Sequence, residues 1–559
     1  MLALGAGALL LSGCQHVGDG SPAPSAALSP LSASVPASSS PIRFVDVAEK
    51  AGLQYQWTIP GKRPVNILQT IGNGGAFLDY NNDGKLDILL VGSRLALYQG
   101  LGQGRFADVT HSVGLDTLKG HFIGCAVGDF DNDGFEDVYV TAYQGGVLLH
   151  NDHGARLVDI TRSAGIAPQP WGTSAIFVDI NNDGKLDLYV GNYVQFGPSQ
   201  PQLCPDNGEM VSCSPNFYSP LKGALYLNNG SKFTDATRAW NALNISGKTL
   251  GIAAANFDGS GRQSILLAND EVAGNLLAND GKRFTDIGVA NGTAYGANGE
   301  VYGGMGADWG DYDGDGLLDL FVSTYRNQVK QIYRQDAGHG FTDRSVSLGV
   351  AAPTRPYVAF GVKWLDADND GWLDLMIANG HVVDNIARVD HDATFREPTQ
   401  FLHNEGGKRF VDESASALTG DAGKPILGRG LATGDYDDDG KVDALVIDSD
   451  GKPLLLHNET PQTGHWLEIR LIGTHSNRDG IGALVTVAAG GRPLLRACTT
   501  GGSYLSASDR RIHVGMGSAT TAETISILWP DGHKDIYRNV AADHIATLKE
   551  GDATPALAG

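Results

Sequence analysis

DYNNDGKLD, residues 79–87, is the stretch that decides the fold. It sets oxygen-bearing side chains at its first, third, fifth and ninth positions and a glycine at its sixth. The same spacing returns at 129–137 (DFDNDGFED), 179–187 (DINNDGKLD), 311–319 (DYDGDGLLD), 366–374 (DADNDGWLD) and 435–443 (DYDDDGKVD). Ca²⁺ takes about 6–8 oxygen ligands, and a glycine at the sixth position permits the turn that points them inward. The expected ligands are Asp79, Asn81, Asp83 and Asp87; Asp129, Asp131, Asp133 and Asp137; and Asp179, Asn181, Asp183 and Asp187. In the later loops they are Asp311, Asp313, Asp315 and Asp319; Asp366, Asp368, Asp370 and Asp374; and Asp435, Asp437, Asp439 and Asp443. An Asx-turn explains the Asp and Gly of one such loop without metal. It does not explain the repeated acid at position nine, so about six structural Ca²⁺ sites are expected.

The loop is like the first half of an EF-hand, which would continue to a bidentate Glu at position twelve between helices. Here the acid closes at position nine and leads into LDILLV, EDVYVT, LDLYVG, LDLFVS, LDLMIA and VDALVI. Such β-branched, apolar runs read as buried strands. Between the third and fourth intact loops, residues 256–264 (NFDGSGRQS) keep the length and glycine but one carboxylate, which puts metal there in doubt. Counting it, loop starts lie 50 to 77 residues apart, a period of propellers or solenoids. An outer strand keeps phase with them at FVDV (44–47), FADVT (106–110), LVDIT (157–161), FTDAT (233–237), FTDI (284–287), FTDRS (341–345) and FVDES (410–414). Each unit reads as about four strands, so the expectation is an all-β, seven-bladed β-propeller.

The repeats resemble the FG-GAP/VCBS repeats of integrin α-subunit propellers and their bacterial relatives, with Phe360-Gly361 and Tyr302-Gly303 placed as the FG element is. Residues 465–550 look like the ASPIC/UnbV module: HWLEIRLIGTHSNRDGIGALVTV, then GGSYLSASDRRIHVGMG, then ILWPDGHKDIYRNV. In the cartilage acidic protein family such a module follows such a propeller, and CSPNFYSPLKGALYLNNG (213–230) and Asn379-Gly380-His381-Val382 also look like that family. The resemblance implies integrin-like calcium loops and a small C-terminal all-β module. It implies little about activity.

The expected organisation is a lipoprotein signal peptide with a lipobox (1–14), a Ser/Ala/Pro linker (15–41), the propeller (42–460), the ASPIC/UnbV module (461–551) and a tail (552–559). Residues 1–14 end in Leu-Ser-Gly-Cys, making Cys14 the expected lipidation site, although the usual basic n-region is missing. Export follows, with a lipid anchor at the outer membrane or cell surface, otherwise a periplasmic or secreted chain; membrane contact is expected through that anchor alone. Cys204 and Cys213 flank a polar loop and form the candidate disulfide, whereas Cys125 reads as a buried thiol. The net charge of −22 argues against nucleic acid as a partner. Ligand positions alone hold 22 aspartates, so six divalent ions would cancel 12 of those charges, and binding should couple to folding.

Other candidates yield to blander readings. His381 could face a central channel but is expected to be satisfied by nearby backbone. His121, His391, His403, His457, His465 and His475 lack metal-ligand spacing such as HExxH. Ser503, Ser506, Ser508 and Asp509 offer residue types for a triad without a Gly-x-Ser-x-Gly elbow. Trp309, Trp364 and Trp372 adjoin loops and are expected in packing rather than on a sugar platform. The leading expectation is a surface-anchored binding or adhesion module for protein or polysaccharide, with the insertions 195–222 and 382–400 as its recognition face. Its rivals are an extracellular hydrolase or lyase using the propeller channel and a purely structural envelope scaffold.

Overall fold

The computed structural model describes residues 41–559 apart from Ser231, His339, Gln462, Thr463, Ala553 and Gly559. Cys14 and almost all of the 15–41 linker lie outside the described residues. The apolar run after each Asp loop is a fully buried strand, because its side chains meet a neighbouring sheet on both faces. Around loop 79–87 the strands are Gly75–Leu78, Asp87–Leu90, Ala96–Gly102 and Arg105–Asp108, each antiparallel to the next. The Asp loop joins the first strand to the second.

The plan repeats around loops 129, 179, 256, 311 and 366. The sheet of loop 435 takes its outer strand from the other end of the chain: Phe44–Asp46 pairs antiparallel with Leu454–Asn458. The first strand of each sheet touches that of the next, and Gly428–Gly434 returns to touch Gly75–Leu78. The arrangement is all-β and propeller-like. Six of these first strands, those of loops 129 to 435, carry a register shift where the chain nears the centre, as between Phe122 and Cys125.

Residues 465–558 add two further four-stranded sheets sharing one apolar core that includes Trp529, Val485, Val514 and Leu548. The Pro530-Asp531-Gly532 turn links Thr521–Leu528 to Lys534–Ala541. From this body the segment 499–509 runs into the centre of the ring. Ser503, Ser506 and Ser508 accept through Oγ from the backbone N–H of Val362 (3.1 Å), Gly75 (3.3 Å) and Thr433 (3.1 Å). Leu505 O accepts from Cys125 N at 3.0 Å, and Leu505 N donates to Ser174 Oγ at 3.1 Å. Gly74 must lack a side chain, since a Cβ there would lie 1.8 Å from Leu505 O. The serines that offered triad chemistry therefore satisfy backbone donors of the first strands.

Candidate metal centres

Each Asp loop is built by its own side chains turning back on the backbone. In loop 79–87 the Asp79 carboxylate accepts from the N–H of Asp83 and Gly84 (both 3.1 Å), and Asp83 Oδ1 accepts from Lys85 N (3.0 Å). Asp87 spans the hairpin, accepting from Tyr80 N (3.0 Å) and from Gly100 N on the third strand (2.7 Å). The other intact loops repeat these bonds, so position nine is fixed from two directions and buried.

The result concentrates carboxylates. One oxygen each from Asp129, Asp131 and Asp133 falls within 4.8 Å of the others, and Asp311/Asp313/Asp315 and Asp366/Asp368/Asp370 do the same. Burial, reinforced by neighbouring carboxylates, pushes Asp87 and Asp187 up to about 8 and Asp137, Asp179 and Asp443 up to about 7. Asp313 Oδ1 and Asp437 Oδ1 are buried without a hydrogen-bond partner. An all-oxygen donor set with orphaned buried oxygens fits a hard cation such as Ca²⁺.

Loop 256–264 makes the same turn with almost no charge. Asn256 Oδ1 accepts from Gly261 N (3.1 Å), Asp258 Oδ1 from Ser260 N (3.0 Å), Ser260 Oγ from Arg262 N (3.2 Å) and Ser264 Oγ from Asn279 N (3.3 Å). The turn itself thus needs hydrogen-bond acceptors at positions one, three, five and nine, and no more than one carboxylate.

Sequence reading missed three sets of residues at these loops. At position four, Asn82, Asn132, Asn182, Asn369 and Asp438 take φ between 55° and 61°, a left-handed backbone that Asn and Asp tolerate. Asn82, Asn132, Asn182 and Asn369 donate through Nδ2 to the carbonyl of the next loop's sixth residue: Gly134 (2.6 Å), Gly184 (2.9 Å), Gly261 (3.0 Å) and Gly440 (2.9 Å). The amides ending the third strands make a second stitch. Asn151, Asn228, Asn279, Gln335, Asn404 and Asn458 each donate to the second residue of the preceding loop, at 2.7–3.0 Å. Gly100 holds that place beside loop 79, so the seam closed by Phe44–Asp46 has no such bond. One residue earlier on the third strands, His150, His403 and His457 lie 3.0–3.2 Å from the ninth aspartate, while Arg334 pairs with Asp313 (2.6 Å) and Asp315 (2.5 Å). His403 and His457 show no HExxH-type spacing because such spacing cannot register a neighbour supplied by an adjacent strand.

The C-terminal body sits on this loop face. Asp479 accepts from Asp129 N (2.8 Å), Asn132 Oδ1 accepts from Arg478 N (2.8 Å), Arg510 pairs with Glu136 (2.8 Å), and Arg511 pairs with Asp438 (2.6 Å) and Glu468 (2.9 Å). Arg492 lies 4.0 Å over the Trp372 ring, while Trp309 and Trp364 stack on Phe257 and Tyr312 inside the sheets. Cys204 and Cys213 form a disulfide, and Cys125 and Cys498 are buried thiols. His381 is buried, its Nδ1 accepting from Val383 N at 3.0 Å.

Residues 473–555 match the ASPIC and UnbV family, and residues 79–140, 129–190 and 311–377 match the FG-GAP-like repeat. The chain thus carries FG-GAP-like repeats and an ASPIC/UnbV region. It is similar to cartilage acidic protein 1 of Mus musculus, 24% identical over 513 residues that cover 85% of this chain and 73% of the relative. The Homo sapiens cartilage acidic protein 1 is 25% identical over 514 residues, covering 85% and 71%. Among solved structures, YCF48 from Cyanidioschyzon merolae aligns over 72% of this chain and 99% of that one, with a TM-score of 0.40 and 11% identity. The ASPIC/UnbV stretch is thus the part that covers the Asp loops and supplies the central segment.

Proposed function

We propose that this chain is a calcium-stabilised, seven-bladed β-propeller that works as an exported binding or adhesion module for an extracellular protein or polysaccharide, tethered through a lipidated Cys14. The blades are the sheets of loops 79, 129, 179, 256, 311, 366 and 435, closed by Phe44–Asp46, with residues 461–551 as a separate β module docked on them. The internal contrast between loops carries the calcium reading. Loop 256 folds with one carboxylate, whereas the six others hold three or four at ligand positions and bear the repulsion. That excess charge has no use in the turn and suits a divalent ion. The aspartates and asparagines at positions one, three, five and nine would hold it; bound, it supplies positive charge that joins the two strands of the hairpin. Extracellular calcium modules commonly bind at about 10⁻⁴–10⁻³ M, and weak individual sites are expected here.

A disulfide at 204–213 suits an oxidising compartment. The C-terminal body covers the loop face, which leaves the opposite face, with its insertions 195–222 and 382–400, for a partner. Those insertions pack on each other: Asn385 donates to Met210 O at 3.0 Å, and Val211 and Val383 share an apolar cluster. Phe217, within the first of them, is 60% exposed.

The test is thermal unfolding in EGTA followed by Ca²⁺ titration, with bound metal counted by elemental analysis. A saturable rise in Tm with several ions per chain is expected. An unchanged Tm with no bound metal would sink the calcium reading.

A further inference from the structure

At the ends of the strands remote from the Asp loops, the ring opens into a cavity of about 310 Å³. Pockets of this size and upward hold small molecules. Its floor is formed by first strands through Leu250, Met305 and Phe360, and one wall is the disulfide-bearing hairpin Leu203–Asp206 with Glu209–Ser212. Most of the lining is apolar or aromatic, yet three carboxylates, Asp206, Asp270 and Glu271, face it, and no Lys, Arg or His is among the described lining residues.

Asp270 is 8% exposed. Its Oδ2 accepts from Tyr193 Oη at 2.5 Å, and among the described residues it makes no ion pair. Lys248, the nearby base, donates instead to Asn216 Oδ1 at 2.8 Å. Glu271 is held in the left-handed region (φ 54°), with Oε2 accepting from Ser214 Oγ (2.7 Å) and Asn216 Nδ2 (2.6 Å). Burial, with Glu271 adding to it and the Tyr193 hydrogen bond and Lys248 charge opposing it, pushes the Asp270 carboxyl up to about 7. A buried acid without a counter-charge is costly, and a cation is what relieves it.

We infer that this cavity binds a small organic cation with an apolar body, its charge against Asp270 and Glu271 and its body among Met305, Phe360 and Tyr325. The Tyr325 ring adds attraction to a cation held over its face, while Phe360, whose ring already carries Arg429 at 3.9 Å, offers apolar contact. A neutral apolar molecule would leave the acids unpaired, and an anion would be repelled.

The experiment is calorimetric titration of the full chain in calcium buffer with phenethylamine and benzyltrimethylammonium, against 2-phenylethanol and phenylacetate. The cations should bind and the two controls should not compete. Asp270→Asn should weaken cation binding about tenfold or more, at unchanged Tm. Should Asp270→Asn fail to fold, Val382→Trp, on the half-buried cavity wall, should abolish binding by filling the space. Equal binding of amine and alcohol, an unaltered affinity in both variants, or no heat from either cation at millimolar concentration would each overturn the assignment. None of these readouts depends on whether the Asp loops hold calcium.

Discussion

Single residues here do two jobs that a motif does not distinguish. Asn132 stands between ligands, yet it bonds Gly184 O of the next loop and the Arg478 N–H of the C-terminal body while its own φ is 60°. Asn132→Gly keeps the backbone free and removes the bonds; Asn132→Ala removes the bonds and adds left-handed strain of about 1–2 kcal/mol. Denaturant unfolding should therefore rank Ala below Gly by about that difference, and equal losses would show that strain is absent. His381 gives a pH signature. Burial first, then Arg326 and Arg429, lower its pKa from the ordinary 6.5 to about 3. The folded chain thus holds it neutral, so its contribution is complete above about pH 6.5. It is lost as pH falls towards 3, by about 1.4 kcal/mol per pH unit. His381→Gln should flatten the dependence of Tm on pH in that window, and an unaltered slope would count against it.

At the scale of the element, much was legible and the reason is locality. The Asp loops, the buried strands after them and the Phe-x-Asp outer strands each lie within about ten residues, so spacing alone exposes their period. The bonds of the third-strand asparagines leave no mark in the spacing. Their partners, such as Tyr80 O for Asn151, sit in the preceding sheet. The hairpin at 203–212 is intermediate: its two cysteines suggested a pair, but not that the pair walls a cavity. The chain between them is short, so loop closure is worth about 2–3 kcal/mol on an entropic account. Because few strands rest on it, reduction should speed proteolysis within 195–222 while the main unfolding transition stays in place; a large fall in Tm would show the hairpin to be part of the common core.

For the molecule as a whole, the decisive contacts have no sequence signature. Ser508 meets Thr433, Leu505 meets Cys125 and Tyr504 Oη donates to Ile71 O at 2.7 Å, across as many as 433 residues. A segment that looked like a polar cluster is the axle of the ring. Tyr504 is fully buried against Phe360, with ring centroids 4.9 Å apart, and Tyr504→Ala should cost about 3–5 kcal/mol. Calorimetry of the whole chain should show one transition, since the inner strands and the C-terminal body share their bonds; two separated transitions would refute that coupling. The clasp at Phe44–Asp46 adds a matter of timing. A ribosome delivers the amino end first, yet this strand's mate is Leu454–Asn458 and the axle comes later still. The ring therefore stays open until Leu454–Asn458 has emerged, and a nascent chain waits with the strand Phe44–Asp46 bare. Any cell that makes this protein must shield that strand or delay folding until translation, or passage to its destination, is finished.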